Sequence, residues 1–213
     1  KQGLTRPELA VLLAYAKISL NAQLIHSELP DMGILQPRLL SYFPERLQKP
    51  YRNEILAHPL RREITTTLFT NSLINRMGIT FVHEMKRQLG VKSVNVAKAY
   101  FIVRDLLDLI SLWHNLETLD TLPTTFQTEL MLMIYENVKR MTDWFVRFDA
   151  THKDVEETIH LFKPDFLSLR ENLTSFFPPK LYKDYEEKCN DYQYLGLSES
   201  LAERLLTLNS LIS

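Results

Sequence analysis

The residues best suited to chemistry in this 213-residue chain are six histidines, a lone cysteine and two basic-polar pairs. A zinc helix needs two histidines one turn apart with a glutamate between them, as in H-E-x-x-H. His83-Glu84 begins that pattern, but Met85-Lys86-Arg87 follows and the second histidine is missing. His152 and His160 lie two helical turns apart and could share a face with Glu156. With no cysteine or carboxylate cluster beside them, they read as a solvated helix rather than a metal site. His58 precedes Pro59 and reads as a helix-start residue. Cys189 sits among Glu187, Lys188 and Asp191, where neighbouring acids disfavour the thiolate. No catalytic residue and no metal ligand is assigned.

The glycines exclude the common nucleotide loops. Gly3, Gly33, Gly78, Gly90 and Gly196 are too far apart for G-x-G-x-x-G or G-x-x-x-x-G-K-[ST]. Those loops need glycine because backbone must approach phosphate closely and adopt positive φ. No cofactor-binding residue is assigned, and this chain is expected to hold no cofactor of its own.

Two clusters read as contact surfaces. Arg61-Arg62 falls in the first turn after Pro59, where positive charge opposes the helix dipole and gains nothing from it. Asn75-Arg76 falls in the last turn of the same helix, where a cation is favourable in any case. Arg61, Arg62, Asn75 and Arg76 are therefore candidate interdomain contacts, pairing with acidic groups elsewhere; ordinary helix-end charge is the alternative. Lys86, Arg87, Lys92 and Lys98 read as a solvated helix end, so no nucleic acid is expected as a partner.

Helices must position these residues, because helix signals run through the whole chain. Thr5-Arg6-Pro7-Glu8 combines a capping box with an early proline. Leu9, Leu12, Leu13, Ala16 and Leu20 then mark an apolar face as far as about Ser27. Prolines at 30, 37, 44 and 50 leave only short helices around 35–42 and 45–57. His58-Pro59 opens a helix that should bury Leu60, Ile64, Leu68 and Ile74 and stop at Gly78. Another runs from about Thr80 to Gly90, and Ser93 caps one carrying Val96, Tyr100, Leu107 and Ile110.

Pro123 starts the longest helix, to about Phe148, with Trp144 on its core face beside Phe145. Met131, Leu132 and Tyr135 on its other side suggest a middle wrapped by several helices. A capped helix from Thr151, another near 164–176, a Tyr-rich one after Pro178-Pro179 and a last one from Ser198 complete the set. That last helix presents Leu201, Leu205, Leu208 and Ile212. No window alternates with period two, and no fixed repeat is present.

Composition sets the class. Apolar residues make up 45% and charged residues 24%, which fits a folded domain and not disorder. No run reaches the ~20 uninterrupted apolar residues of a membrane span, so no membrane is expected as a partner. A lone cysteine cannot form an internal disulfide, and a reducing cytoplasm is the expected location. Net charge is −1, but it is unevenly distributed. Residues 1–110 hold 15 Lys/Arg against 9 Asp/Glu, and residues 111–213 hold 10 against 17.

Several runs resemble the large bacterial NAD-specific glutamate dehydrogenases. The likeness is strongest from Gly3-Leu4-Thr5-Arg6-Pro7-Glu8 through Lys17. It recurs in Ala57-His58-Pro59-Leu60-Arg61-Arg62-Glu63-Ile64 and in Asn75-Arg76-Met77-Gly78-Ile79-Thr80-Phe81-Val82-His83. Weaker matches run through Ala97-Lys98-Ala99-Tyr100 and Arg104-Asp105 to Leu112-Trp113. The resemblance covers roughly the first 115 residues well and the rest only in helical pattern. It implies a place in the C-terminal helical part of a very long polypeptide, after the catalytic region, with further helices beyond Ser213. The catalytic Lys and Asp and the NAD-binding glycines of that family lie upstream, so none is carried onto this chain.

The expected fold is therefore all-α, an irregular multi-helix domain of about ten helices with no sheet. Residues 1–177 form its body, and 178–213 an acidic, Tyr-rich helical tail. The resemblance implies a non-catalytic part of an enzyme that converts L-glutamate and NAD to 2-oxoglutarate, ammonia and NADH. Its role would be structural, interdomain or oligomer-building, with the upstream catalytic domain and further copies as partners. The alternatives are a regulatory, effector-responsive domain of the same enzyme, or a free-standing helical adaptor.

Overall fold

A computed structural model describes residues 3–148 and 154–211. Among these residues there are twelve α-helices and no strand, as the absence of any period-two pattern implied. The chain divides into two compact units, residues 1–98 and 99–213. The division sharpens the charge asymmetry: residues 1–98 carry 14 Lys/Arg and 7 Asp/Glu, and residues 99–213 carry 11 and 19.

The first unit opens with α1 (Arg6–Ile25), whose start is the expected capping box. Thr5 N–H donates to Glu8 Oε2 at 2.8 Å, and Glu8 N–H donates to Thr5 Oγ1 at 3.5 Å. The proline-rich stretch then folds as short pieces: α2 (Gln36–Tyr42), α3 (Glu45–Gln48) and α4 (Arg52–Leu56). Leu39, Leu40 and Ile55 form a small core there, with Phe43, Leu56 and Ile64 packed against it. The long helix α5 (Arg61–Met77) packs on α1 and α2.

Its buried face is not the leucine stripe the periodicity suggested. Leu60 is exposed and Ile64, Leu68 and Ile74 are only half-buried; Thr65, Thr66, Phe69, Thr70, Leu73 and Met77 face inward instead. The hydroxyls of Thr66 and Thr70 can be buried because they are hydrogen-bonded. Thr66 Oγ1 donates to the Arg62 carbonyl at 2.7 Å, and Thr70 Oγ1 donates to Asn21 Oδ1 at 3.3 Å.

Gly78 ends α5 at φ 78° and Gly90 ends α6 (Phe81–Leu89) in the left-handed region at φ 69°. Nothing lies within 4 Å of where a Cβ would sit at either position, so conformation and not space requires glycine there.

The helix that begins at Ser93 does not continue through Ile110. It stops at Leu106 as α7 (Ser93–Leu106), and α8 (Leu109–Glu117) begins after Asp108 turns the backbone left-handed at φ 47°. The boundary between the two units falls inside α7.

In the second unit α9 (Thr124–Arg147) is the longest helix and buries Phe126, Leu130, Ile134, Val138, Met141 and Phe145. Trp144 is not part of that face. It is 48% exposed, stacked on Phe148 with ring centroids 4.9 Å apart and planes 7° from parallel. Leu132 is exposed too, so the middle of α9 is not covered on all sides.

Pro164 does not start a helix either. It lies within α10 (Val155–Asn172), which Asp154 caps by accepting from Glu157 N–H at 3.0 Å. A proline here removes only the donor for the carbonyl of His160, an exposed residue whose oxygen water can reach. The helix start expected at Thr151, and the terminal Ile212, lie outside the described residues.

The last two helices are α11 (Pro179–Tyr194) and α12 (Glu199–Ser210). The inner face of α12, Leu201, Leu205, Leu206 and Leu208, packs on α9 and α11.

Candidate functional site

The four residues singled out as contacts sit at opposite ends of α5. Arg61-Arg62 and Asn75-Arg76 are separated by about 21 Å along the helix axis at 1.5 Å per residue, so they form no single patch. Arg61 and Arg62 converge on Asp31, and Arg61 Nη2 lies 3.2 Å from Asp31 Oδ1. Arg62 Nη2 also donates to the carbonyls of Ile25 and Ser27 at 2.7 and 2.8 Å. That places its guanidinium on the end of α1, where carbonyls lack intrahelical donors and a cation meets the favourable end of the dipole. Arg62, without dipole support at its own helix start, thus finds that support at the end of another helix. Asn75 is exposed and Arg76 half-buried.

His58 behaves as a helix-start residue: its Nδ1 accepts from Leu60 N–H at 3.1 Å, and its ring lies 5.7 Å from Phe43. His83 and His160 are exposed on α6 and α10, and His152 lies outside the described residues. Cys189 is buried, with Gln193 Nε2 at 3.4 Å from its sulfur. Among the described residues no three His, Cys, Asp or Glu side chains come together in a way that could hold a metal ion.

Lys98, expected to be solvated, is 9% exposed and pairs with Glu28. Hydrogen bonding from Lys98 holds the Glu28 carboxyl below the usual carboxylate range. A carboxyl lowered on folding contributes stability above its unfolded value, and that contribution is lost as pH falls through the lowered one. Glu28→Gln should accordingly destabilise the chain at pH 7 by about 1 kcal/mol, because the outer face of the pair meets water. The difference should shrink as pH falls below the usual carboxylate range and vanish only once the lowered native carboxyl is itself protonated. Thermal midpoints of both proteins across pH 3–8 check this; a gap unchanged with pH would refute it.

Sequence reasoning missed a polar cleft of about 780 Å³ in the second unit, lined by Asp108, Asn115, Arg170, Tyr185, Arg204 and Thr207 among others. Arg204 of α12 is its best-anchored member. Its Nη2 donates to the carbonyls of Leu107 and Asp108 at 3.1 and 2.6 Å and to Asp108 Oδ2 at 3.3 Å, and its Nη1 to Ser111 Oγ at 3.2 Å. Burial lowers the Arg204 pKa, with Asp108 opposing the shift and Arg170 adding to it. Burial likewise pushes the Tyr185 hydroxyl up. The cleft thus offers guanidinium and hydroxyl donors beside carboxylates. No serine or cysteine nucleophile with a histidine base lines it. The only advance signal for it was the lone cation of an otherwise apolar and acidic last helix, Arg204.

A third surface is apolar. Along α1 no residue from Arg6 to Ser19 is buried, and only Leu13 is half-buried. Val11, Tyr15 and Ile18 are 55, 67 and 62% exposed.

Across its full length, residues 1–213, the sequence matches the family model described as glutamate dehydrogenase, C-terminal. The chain belongs to that family. It is 34% identical over 211 residues to the NAD-specific glutamate dehydrogenase of Halomonas elongata and 35% identical over 202 residues to that of Pseudomonas aeruginosa. It is 28% identical over 205 residues to the Mycobacterium tuberculosis enzyme of the same description. These alignments take in 99, 94 and 96% of this chain but only 13, 12 and 13% of the relatives. The chain therefore corresponds to about an eighth of the relatives' length. The resemblance read from Gly3–Lys17, Ala57–Ile64 and Asn75–His83 named the right family, and the match extends past residue 115 to the end.

Proposed function

We propose that this chain is a helical, non-catalytic region of an NAD-specific glutamate dehydrogenase, with a structural role between domains or subunits. The whole polypeptide would convert L-glutamate and NAD to 2-oxoglutarate, ammonia and NADH in the cytoplasm. Its partners would be the catalytic domain of the same polypeptide and further copies of the enzyme. The observation that carries this reading is the match over residues 1–213 to relatives eight times longer. The five scattered glycines support it, since they supply no phosphate-cradling loop. Arg61 and Asn75, both exposed, would serve as polar contacts to the catalytic domain, and Arg62 would set the direction in which α1 ends.

Two measurements test the proposal. Calorimetric titration of this chain with NAD and NADH should give no saturable heat; stoichiometric binding in the micromolar range would refute the non-catalytic reading. The full-length polypeptide should form NADH from NAD only when glutamate is present, and deleting residues 1–213 should lower turnover or assembly. Full activity and unchanged assembly after the deletion would refute the structural role. One observation favours a regulatory role instead: the cleft beside Arg170 and Arg204 has the donors to take a small polar effector.

A further inference from the structure

α1 is apolar on two opposite faces, and the fold uses only one of them. At 100° per residue, Leu13, Leu20 and Leu24 fall within about 40° of one another, and Leu20 and Leu24 are buried in the first unit. Val11, Tyr15 and Ile18 fall within about 60° of one another on the opposite side, and all three are exposed. Between the two faces a groove runs beside α6, lined by Leu12, Ala16, Leu20, Ile79 and Val82. Contiguous apolar surface of this kind marks an interaction site in a soluble protein.

We propose that this face of α1 is the seat of an apolar, acid-flanked segment of the same polypeptide, from the sequence that the longer relatives carry in addition. The inference rests on the reading of the chain as part of a large dehydrogenase. Length argues for that occupant, since this chain matches only 12–13% of its relatives and most of each relative lies outside the match. A tether also raises the effective concentration of such a segment to the millimolar range. Charge defines its chemistry: the unit that carries α1 holds 14 Lys/Arg and 7 Asp/Glu, so carboxylates at the rim of the seated segment are attracted. The same excess disfavours a second copy, because two α1 faces brought together would set two basic units against each other.

A membrane is a poorer occupant. By length and composition α1 could cross one, with a mean hydropathy of 1.3. Its last turns, however, are fixed in the first unit by Leu20, Leu24 and the Thr70–Asn21 hydrogen bond. The stretch Arg6–Ser19 that remains spans about 21 Å, short of the ~30 Å hydrocarbon core.

The test uses the full-length polypeptide carrying Val11→Cys or Tyr15→Cys, with labelling at that peptide followed by mass spectrometry. In the native protein the new thiol should react at least about tenfold more slowly than in the same chain unfolded in urea, because a covered thiol reacts only through opening. A photo-crosslinker attached there should join a peptide outside residues 1–213 of the same chain. Free reaction at the unfolded rate would overturn the proposal. So would crosslinks to α1 of a second, isotope-labelled copy, or protection that appears only with vesicles of anionic phospholipid. Glutamate-dependent NADH formation is read on the same sample. Its absence with an intrachain crosslink present would sink the enzyme reading and leave the seat of α1 standing.

Discussion

Phe145→Ala should unfold or strongly destabilise the second unit, whereas Trp144→Ala, one position earlier, should cost little. Phe145 has no exposed surface, and its ring meets Trp144 and Phe162 edge-on at 4.9 and 5.4 Å. Truncating a fully buried phenylalanine typically costs about 3–5 kcal/mol, from lost transfer energy and the cavity left behind. That is a large share of the ~5–15 kcal/mol by which a domain is stable. Trp144 fills no such cavity: half of it meets solvent, and its main partner is the exposed Phe148. Losing that stack should cost about 0.5–1.5 kcal/mol. Chemical denaturation of the two variants decides between them, through midpoints at unchanged slope. Equal losses would mean that α9 is rotated from the packing described.

Arg204→Ala should destabilise the same unit by about 2–3 kcal/mol. The guanidinium holds two carbonyls and a carboxylate at the joint between α7 and α8, where Asp108 adopts the left-handed region. An L-residue in that region costs about 1–2 kcal/mol, and here Arg204 supplies the compensating contacts. Arg204→Lys should rescue only part of the loss, since an ammonium cannot reproduce the planar fork that spans Ser111, Leu107 and Asp108. Adding Asp108→Gly to Arg204→Ala should recover about 1 kcal/mol by removing the backbone cost. A double variant no more stable than Arg204→Ala alone would show that the joint is not strained in the way described.

Both expectations rest on features that sequence patterns reveal unevenly. Helices punctuated by glycine, proline or a capping box, such as α1, α5 and α6, could be read with their ends nearly in place, because those residues act on the backbone locally. The break at Leu107-Asp108 carries no such mark: an aspartate in the left-handed region is held there by Arg204, almost a hundred residues away. Pro164 misled in the other direction, since an exposed helix surface tolerates a missing hydrogen bond. The inward face of a helix was hardest to read where apolar residues surround it. On α9, Trp144 and Leu132 satisfy the same spacing rules as their buried neighbours, and on α5 hydrogen-bonded threonines displace leucines from the interior. Of the candidate contacts, Arg61-Arg62 was singled out because the dipole of its own helix gives it no support. The groups these arginines meet, Asp31 and the carbonyls at the end of α1, lie about 30 residues or more back in the chain and are brought near only by tertiary folding.

The positions of the two tryptophans have a spectroscopic consequence. Trp113 is buried and Trp144 half-exposed, and both belong to residues 99–213. Excited together, they should emit as a blue-shifted component shielded from iodide and a red-shifted component open to quenching. Residues 1–98 contain no tryptophan, so melting of the basic unit is silent in indole emission and visible only through helix ellipticity or its own tyrosines. A mismatch between fluorescence and ellipticity transitions would therefore report on how independently the two halves lose structure, with no added label.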